Sequence, residues 1–273
     1  MLFSILINTI IYLQQKIRLM IKLIRNIDSF YFSNFFYKVY FFLNKYYVKK
    51  LLNKNIFINK IYIKKKNNTL SKLFKKHNSD KGYINLKENN FSWIPHTYDT
   101  IYYDLFGHCK DSIKLVFECG IGSGNNKYSS NMGSNASPGA SLRAWRDFFT
   151  NAKIYGADID KQVLFTEKRI KTYEMDQLNP NSIKKMWKKI NKNNFDIIID
   201  DGMHSYESNL IMFNNCFSKL KLGGIYFIED VSFGYLKKLE NSLSKYNPSV
   251  IELTSKKYNY PDNNLLIIRR NNF

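Results

Sequence analysis

Cysteine is scarce in this chain of 273 residues: Cys109, Cys119 and Cys216 stand far apart, with no C-x-x-C pair and no metal-ligand spacing. A disulfide framework and a zinc ribbon are thereby excluded, and a reducing, cytoplasmic setting is expected. Also missing is an apolar run of the about twenty residues that a membrane-spanning helix requires. Residues 2–13 are apolar, but Gln14, Gln15, Lys16 and Arg18 interrupt them, and no small-residue cleavage site follows. Neither a spanning helix nor a secretory signal peptide is expected. Internal repeats are absent, and low complexity is confined to Asn/Lys-rich patches at 64–68 and 188–194, read as solvated turns.

Acid is the other shortage. Of the 22 Asp and Glu, only Asp28 falls in residues 1–76, against sixteen Lys and Arg, a net charge of +15. The remaining residues carry 26 basic and 21 acidic side chains, so the overall +20 belongs chiefly to this amino-terminal arm. Lysines and aromatics interleave through 30–47, the pattern of amphipathic helices that insert apolar residues at an anionic membrane surface and keep Lys at the headgroups. Helices packed on the rest of the chain, or on another subunit of a homo-oligomer, are the alternative. A grip on RNA through phosphates and stacked Tyr and Phe is a third. Lys, Asn, Ile, Phe and Tyr all have A/T-rich codons and are all abundant here, so genomic composition accounts for much of the Lys excess and nucleic acid is not the expected partner. The expected location is cytoplasmic, with peripheral attachment at the inner face of the membrane.

The chemistry is concentrated in 115–124, Leu-Val-Phe-Glu-Cys-Gly-Ile-Gly-Ser-Gly, an apolar strand running into Glu118 and then Gly120, Gly122 and Gly124. In an open α/β sheet, ligands bind outside the carboxyl ends of the strands, where the first strand-to-helix turn must let a cofactor lie against bare backbone. The dinucleotide fingerprint G-x-G-x-x-G would need glycine at 125, which is asparagine. Further short apolar runs follow, as buried parallel strands require. Residues 152–159 deliver Asp158 and Asp160; 171–175 close on Asp176-Gln177; 195–199 close on Asp200-Asp201-Gly202; and 225–228 close on Glu229-Asp230. Helical segments at 141–149, 180–190 and 206–220 separate them, and two more strands lie at 249–253 and 265–269. Each inner strand thus ends in a carboxylate at one edge of the sheet. The polar stretch 125–137 reads as a long loop over that edge.

The E-x-G-x-G-x-G form, with acids closing the strands after it, resembles motif I of the class I S-adenosylmethionine (SAM) methyltransferases. Pro138-Gly139-Ala140-Ser141-Leu142-Arg143-Ala144-Trp145, Gly156-Ala157-Asp158-Ile159-Asp160, Asp200-Asp201-Gly202-Met203-His204 and Ile228-Glu229-Asp230 are similar to the group within that family that methylates sugar hydroxyls on macrolides and in polysaccharide gene clusters. Ser79-Asp80-Lys81-Gly82 and His96-Thr97-Tyr98 fit the same group, whereas Met203 departs from its usual Ser.

The resemblance implies a Rossmann-like, mostly parallel seven-stranded α/β sheet with an antiparallel last strand. It would occupy 111–273, with a helical cap at 77–110 and the helical arm at 1–76. It further implies that Glu118 and the three glycines hold the methionine end of SAM, Asp158 the ribose, and Asp176 and Gln177 the adenine end, with Asp200 also among the cofactor-binding residues. His204, with an imidazole suited to accept a proton near neutral pH, is the implied general base beside Asp201. Asp201, Glu229 and Asp230 offer hard oxygens for Mg²⁺, or else cap helices and bind cofactor. The expected activity is O-methylation of a sugar in a glycan or secondary metabolite. The rivals are an RNA methyltransferase and a non-catalytic membrane scaffold. The first lacks an Asn-Pro-Pro-aromatic motif after the fourth strand, and the second would have lost Glu118, Asp158 or His204, all of which are present.

Overall fold

The computed structural model describes residues 59–62, 68–82, 91, 93–254 and 262–271. Most of the basic arm, and with it the expected membrane or subunit contact, lies outside the described residues. Among those described, no helix is long and apolar enough to cross a membrane.

A nine-stranded sheet organises the chain. Its strands are β1 (Asn59–Tyr62), β2 (Leu115–Cys119), β3 (Lys153–Asp158), β4 (Thr166–Glu167), β5 (Ile170–Glu174), β6 (Phe195–Asp200), β7 (Leu220–Ile228), β8 (Ser249–Thr254) and β9 (Asn264–Arg269), in the spatial order β1-β8-β9-β7-β6-β2-β3-β5-β4. From β5 to β7 every neighbouring pair is parallel, and β9 inserts antiparallel between β7 and β8. The seven expected strands are all here. The two additions sit at the margins, where a sheet leaves unpaired backbone groups that accept another strand. β4 closes a hairpin on β5 through Lys168 and the left-handed Arg169 (φ 63°), whose guanidinium bonds the carbonyls of Arg146, Phe149 and Ala152. β1 pairs parallel with β8, so part of the arm expected to be helical is extended.

Six α-helices complete the described chain: α1 (Thr69–His77), α2 (Asp99–Phe106), α3 (Ala140–Phe148), α4 (Pro180–Ile190), α5 (Tyr206–Cys216) and α6 (Phe233–Ser242). Local chemistry sets their starts. Pro180 occupies the first turn of α4, where its missing N–H costs nothing, and the Asn179 side chain accepts from the backbone N–H of Asn181 and Ser182. Ser205 and Ser208 form a reciprocal capping box at α5. α5 stops at Cys216, before the expected 220, because β7 begins at Leu220. The register between β6 and β7 shifts between Phe195 and Ile197 to accommodate this.

Successive strand residues point to opposite faces, so the sheet carries two cores. Val116, Ile197, Ile199 and Phe227 pack with Phe74, Tyr102 and Trp145 from α1, α2 and α3. Phe117, Ile198 and Tyr226 face the other way, onto Trp187 of α4, Phe213 of α5 and Leu236 of α6. Phe213 is fully buried and rings with Phe217, Tyr226 and Tyr246 at 4.6 to 5.1 Å. Its truncation leaves a cavity as well as lost apolar contact. Phe213→Ala is expected to cost about 3–5 kcal/mol, read as a lower denaturation midpoint by urea titration; a shift worth under about 1 kcal/mol would contradict this packing.

Candidate active site

The chain runs outward from β2 in one direction (β3, β5) and in the other from β6 (β7, β9), so the order reverses between β2 and β6. The carboxyl end of that seam opens into a cavity of about 810 Å³. This is the switch point at which doubly wound sheets bind ligands. Gly120 shows why the turn after β2 needs glycine. Its φ is +85°, and a Cβ there would lie 2.0 Å from the Asp201 carbonyl oxygen, because the turns after β2 and β6 touch through Asp201 N–H to Cys119 C=O at 2.9 Å.

One wall of the cavity comprises the glycine turn and the ends of β3 and β5. The Asp158 carboxylate accepts from the backbone N–H of Ile121 and of Asp160, both at 2.9 Å, and Asp160 accepts from the Ser123 hydroxyl at 2.6 Å. The acids ending β3 therefore pin the glycine turn. Burial raises the Asp158 pKa against those backbone bonds. A carboxylate has about four acceptor sites, so Asp158 keeps capacity toward the cavity. Asp176 and Gln177 line the same wall. Gln177 accepts from Met203 N–H at 2.9 Å and donates to Asp200 at 2.6 Å.

Opposite lies a charged wall, built where the turns after β6 and β7 meet the segments flanking α2. Asp230 accepts from the Tyr98 hydroxyl at 2.5 Å and has His96 Nε2 at 3.4 Å and His204 Nε2 at 3.8 Å. Both His204 (φ 54°) and Asp230 (φ 53°) are left-handed, a conformation that costs non-glycine residues about 1–3 kcal/mol and gathers at functional sites. Asp201, His204 and Asp230 offer ligand atoms all within 4.8 Å of one another. Glu229, expected beside them as a metal ligand, lines the same cavity. Its oxygens accept from the Tyr102 hydroxyl at 2.5 Å and from the Lys81 ammonium, which also bonds Asp201 at 2.5 Å. Burial pushes the Glu229 pKa up to about 7, with Lys81 and Tyr102 opposing the rise and Glu118 adding to it. The Asp230 carboxyl is held down against its burial by His96, His204 and Tyr98. His96 is the mirror image: burial would lower its pKa, but Asp230, Asp262, Asp80 and Glu229 raise it.

Of the twelve expected site residues, Gly120, Gly122, Asp158, Asp176, Gln177, Asp201, His204, Glu229 and Asp230 line the cavity or its charged wall together with the loop residues Tyr128 and Met132. Glu118, Gly124 and Asp200 do not. Glu118 is fully buried beneath the turn, its oxygens taken by the Ser141 hydroxyl at 2.6 Å and Trp145 Nε1 at 2.5 Å. A Cβ on Gly124 would meet the Gly133 carbonyl at 2.6 Å, so that glycine packs the loop. Asp200 is buried between Gln177 and Asn209. Sequence reasoning assigned no role to Lys81 or Tyr102. The only sign of the former was its place in Ser79-Asp80-Lys81-Gly82.

No protein-family model matches the chain. Over 150 residues it is 31% identical to the 8-demethyl-8-alpha-L-rhamnosyl tetracenomycin-C 2'-O-methyltransferase of Streptomyces olivaceus, covering 55% of this chain and 37% of that enzyme. Over 97 residues it is 38% identical to the demethylmacrocin O-methyltransferase of Streptomyces fradiae, covering 36% of this chain and 24% of that one. The solved structure of MycE methyltransferase from the mycinamycin biosynthetic pathway, in complex with Mg, SAH and mycinamycin VI, superposes with a TM-score of 0.54 at 23% identity, over 75% of this chain and 55% of that one. The chain has the class I SAM-dependent methyltransferase fold. The chain thus matches less than two fifths of the length of these curated relatives. Its sequence resembles sugar O-methyltransferases of antibiotic pathways, the first of the two settings named by the sequence motifs.

In this methyltransferase fold Asp200 is a buried acid away from the cavity. Burial pushes its pKa up to about 7 against the bonds from Asn209, Gln177 and the Gly202 N–H. The unfolded carboxyl ionises near 4, so between about pH 4 and 7 the folded state holds the extra proton and stability falls as pH rises, by up to about 1.4 kcal/mol per pH unit. Asp200→Asn fits if the Asn209 amide turns over toward the Tyr235 hydroxyl, which accepts as well as donates. Urea unfolding at pH 5 and pH 7 is expected to show a smaller loss between the two for the variant than for the wild type; equal losses would refute the assignment.

Proposed function

We propose that the protein is a SAM-dependent O-methyltransferase acting on a sugar hydroxyl of a glycosylated small molecule. The observation that carries this reading is one cavity with two unlike walls. On one side is a glycine turn pinned by Asp158, and on the other a histidine set between Asp201 and Asp230. The cavity volume lies within the range of small-ligand sites. The resemblance to sugar O-methyltransferases supports the acceptor class.

SAM bound there supplies an electrophilic methyl group for in-line displacement by a hydroxyl. The protein has to align the partners and take up a proton. Asp158, with its remaining acceptor capacity, receives the ribose hydroxyls. Asp176 and Gln177 flank the adenine end. Glu118 acts from below by fixing Ser141 and Trp145 at the start of α3 rather than by touching the ligand. His204 accepts the acceptor hydroxyl's proton, and Asp230 at 3.8 Å steadies the imidazolium that results.

A divalent cation also fits. Glu118, Asp201, Glu229 and Asp230 crowd around the Lys81 ammonium, and burial with mutual repulsion raises the Asp201 pKa despite that ammonium. Mg²⁺ takes few protein carboxylates and retains its waters. Asp201 and Asp230 would therefore hold it, leaving the His204 imidazole for the proton. Its chemistry there would be to acidify and orient the acceptor hydroxyl.

Incubation with methyl-labelled SAM and rhamnosylated acceptors is expected to label the sugar, with loss of label in excess chelator and recovery on adding Mg²⁺. An enzyme that binds SAM but labels RNA and no glycoside would overturn the acceptor class. His204→Ala is expected to bind SAM normally by calorimetry and to lose about 10²–10⁴-fold in kcat; full-rate methylation by that variant would remove the proposed base.

A further inference from the structure

The reaction set out above gives no task to Lys81, yet this is the most deeply placed cation of the site. A lysine ordinarily buries its stem and keeps its ammonium in water. Lys81 does the reverse: the residue is 3% exposed, and its ammonium reaches Asp201 at 2.5 Å, Glu229, and Glu118 at 3.6 Å. An ammonium has three donors and no acceptor. The three carboxylates it faces come from three strand ends, those of β2, β6 and β7.

The backbone delivers it there deliberately. Asn78 is left-handed (φ 58°) and ends α1, with Ser79 N–H bonding back to Phe74 C=O at 2.9 Å. The next residues are then held from the far side of the cap. Asp80 C=O accepts from His96 N–H at 2.7 Å, and Lys81 C=O accepts from Asp99 N–H at 3.2 Å. Gly82 follows with no room for a side chain, since a Cβ would lie 2.9 Å from Phe74 Cβ. Lys81 is thereby anchored on both flanks and aimed at the acid cluster.

We infer that Lys81 is a positioning residue, a fixed internal cation that clamps Asp201 to Glu229 so that Asp201 meets His204 and Asp230 at the cavity. The kinetic part of this inference rests on the proposed methyl transfer; the charge-balance part does not. Four carboxylates and a removable ammonium make a direct test by Mn²⁺ titration, with Mn²⁺ itself as the probe, on the full chain.

Lys81→Met is expected to bind Mn²⁺ at least tenfold more tightly than the wild type by calorimetry, and Lys81→Arg to remain within threefold of it. Unchanged Mn²⁺ affinity in Lys81→Met overturns the inference. In the methyl-transfer assay Lys81→Met is expected to lose at least a hundredfold in kcat with the acceptor KM and the SAM Kd within threefold, and Lys81→Arg to recover at least tenfold of the loss. A defect confined to KM or Kd would make Lys81 a ligand-binding residue and also overturns it. Lys81→Gln, neutral but able to donate one bond, decides both arms should Lys81→Met fail to fold. A wild-type protein that transfers no methyl group defeats the proposed function alone, because the Mn²⁺ comparison still decides the role of Lys81.

Discussion

Buried like charge is the constraint on which the rest of this structure depends. Parallel strands that end together must place whatever follows them along one edge, and here that edge receives Glu118, Asp201, Glu229 and Asp230, two of them fully buried. Charged groups removed from water are tolerated only when paired or hydrogen-bonded. The molecule answers with donors drawn from the other layer. Lys81 comes from the segment after α1, Tyr98 and Tyr102 from the start and body of α2, and Ser141 and Trp145 from α3. All of them belong to one face of the sheet, the face on which α1, α2 and α3 pack.

That arrangement ties α2 and its flanking residues to the sheet. The aromatic residues of α2 bring both apolar contact and a hydroxyl. Tyr102 packs on Trp145 at 4.8 Å and Phe227 at 4.6 Å while its oxygen reaches Glu229. Tyr98 stacks on His96 at 4.9 Å while its oxygen holds Asp230. A buried tyrosine of this kind contributes hydrophobic area and satisfies a carboxylate at once. The left-handed backbone at His204 and Asp230 sits where those contacts converge, and surrounding structure that over-determines two residues is what permits such conformations.

Several features were legible from the order of residues because they depend on local chemistry. The apolar runs before Asp158, Asp200 and Glu229 mark buried strands, the glycine at 120 marks a turn pressed against other backbone, and Asn179-Pro180 marks a helix start. Where the reading missed, the deciding forces were long-range. β1 and β4 form because a sheet edge offers them partners, and four and two residues carry too little pattern to announce that. The stretch Leu220-Lys221-Leu222 continues a helical periodicity, and only pairing with β6 makes it a strand. That the Glu118 oxygens would be met underneath by Ser141 and Trp145 was not legible either, because those donors lie more than twenty residues on. Lys81 was one basic residue among 42, marked only by its place in Ser79-Asp80-Lys81-Gly82.

The sequence by itself determined the doubly wound sheet, the edge at which its acids gather and the chemical types available there, because strand period, glycine conformation and residue charge are properties of short segments. Tertiary structure alone decided which acids face the cavity and which are neutralised beneath it. The ammonium and the hydroxyl that meet Glu229 come from residues more than a hundred positions away, brought within hydrogen-bond reach only when α1 and α2 dock on the sheet.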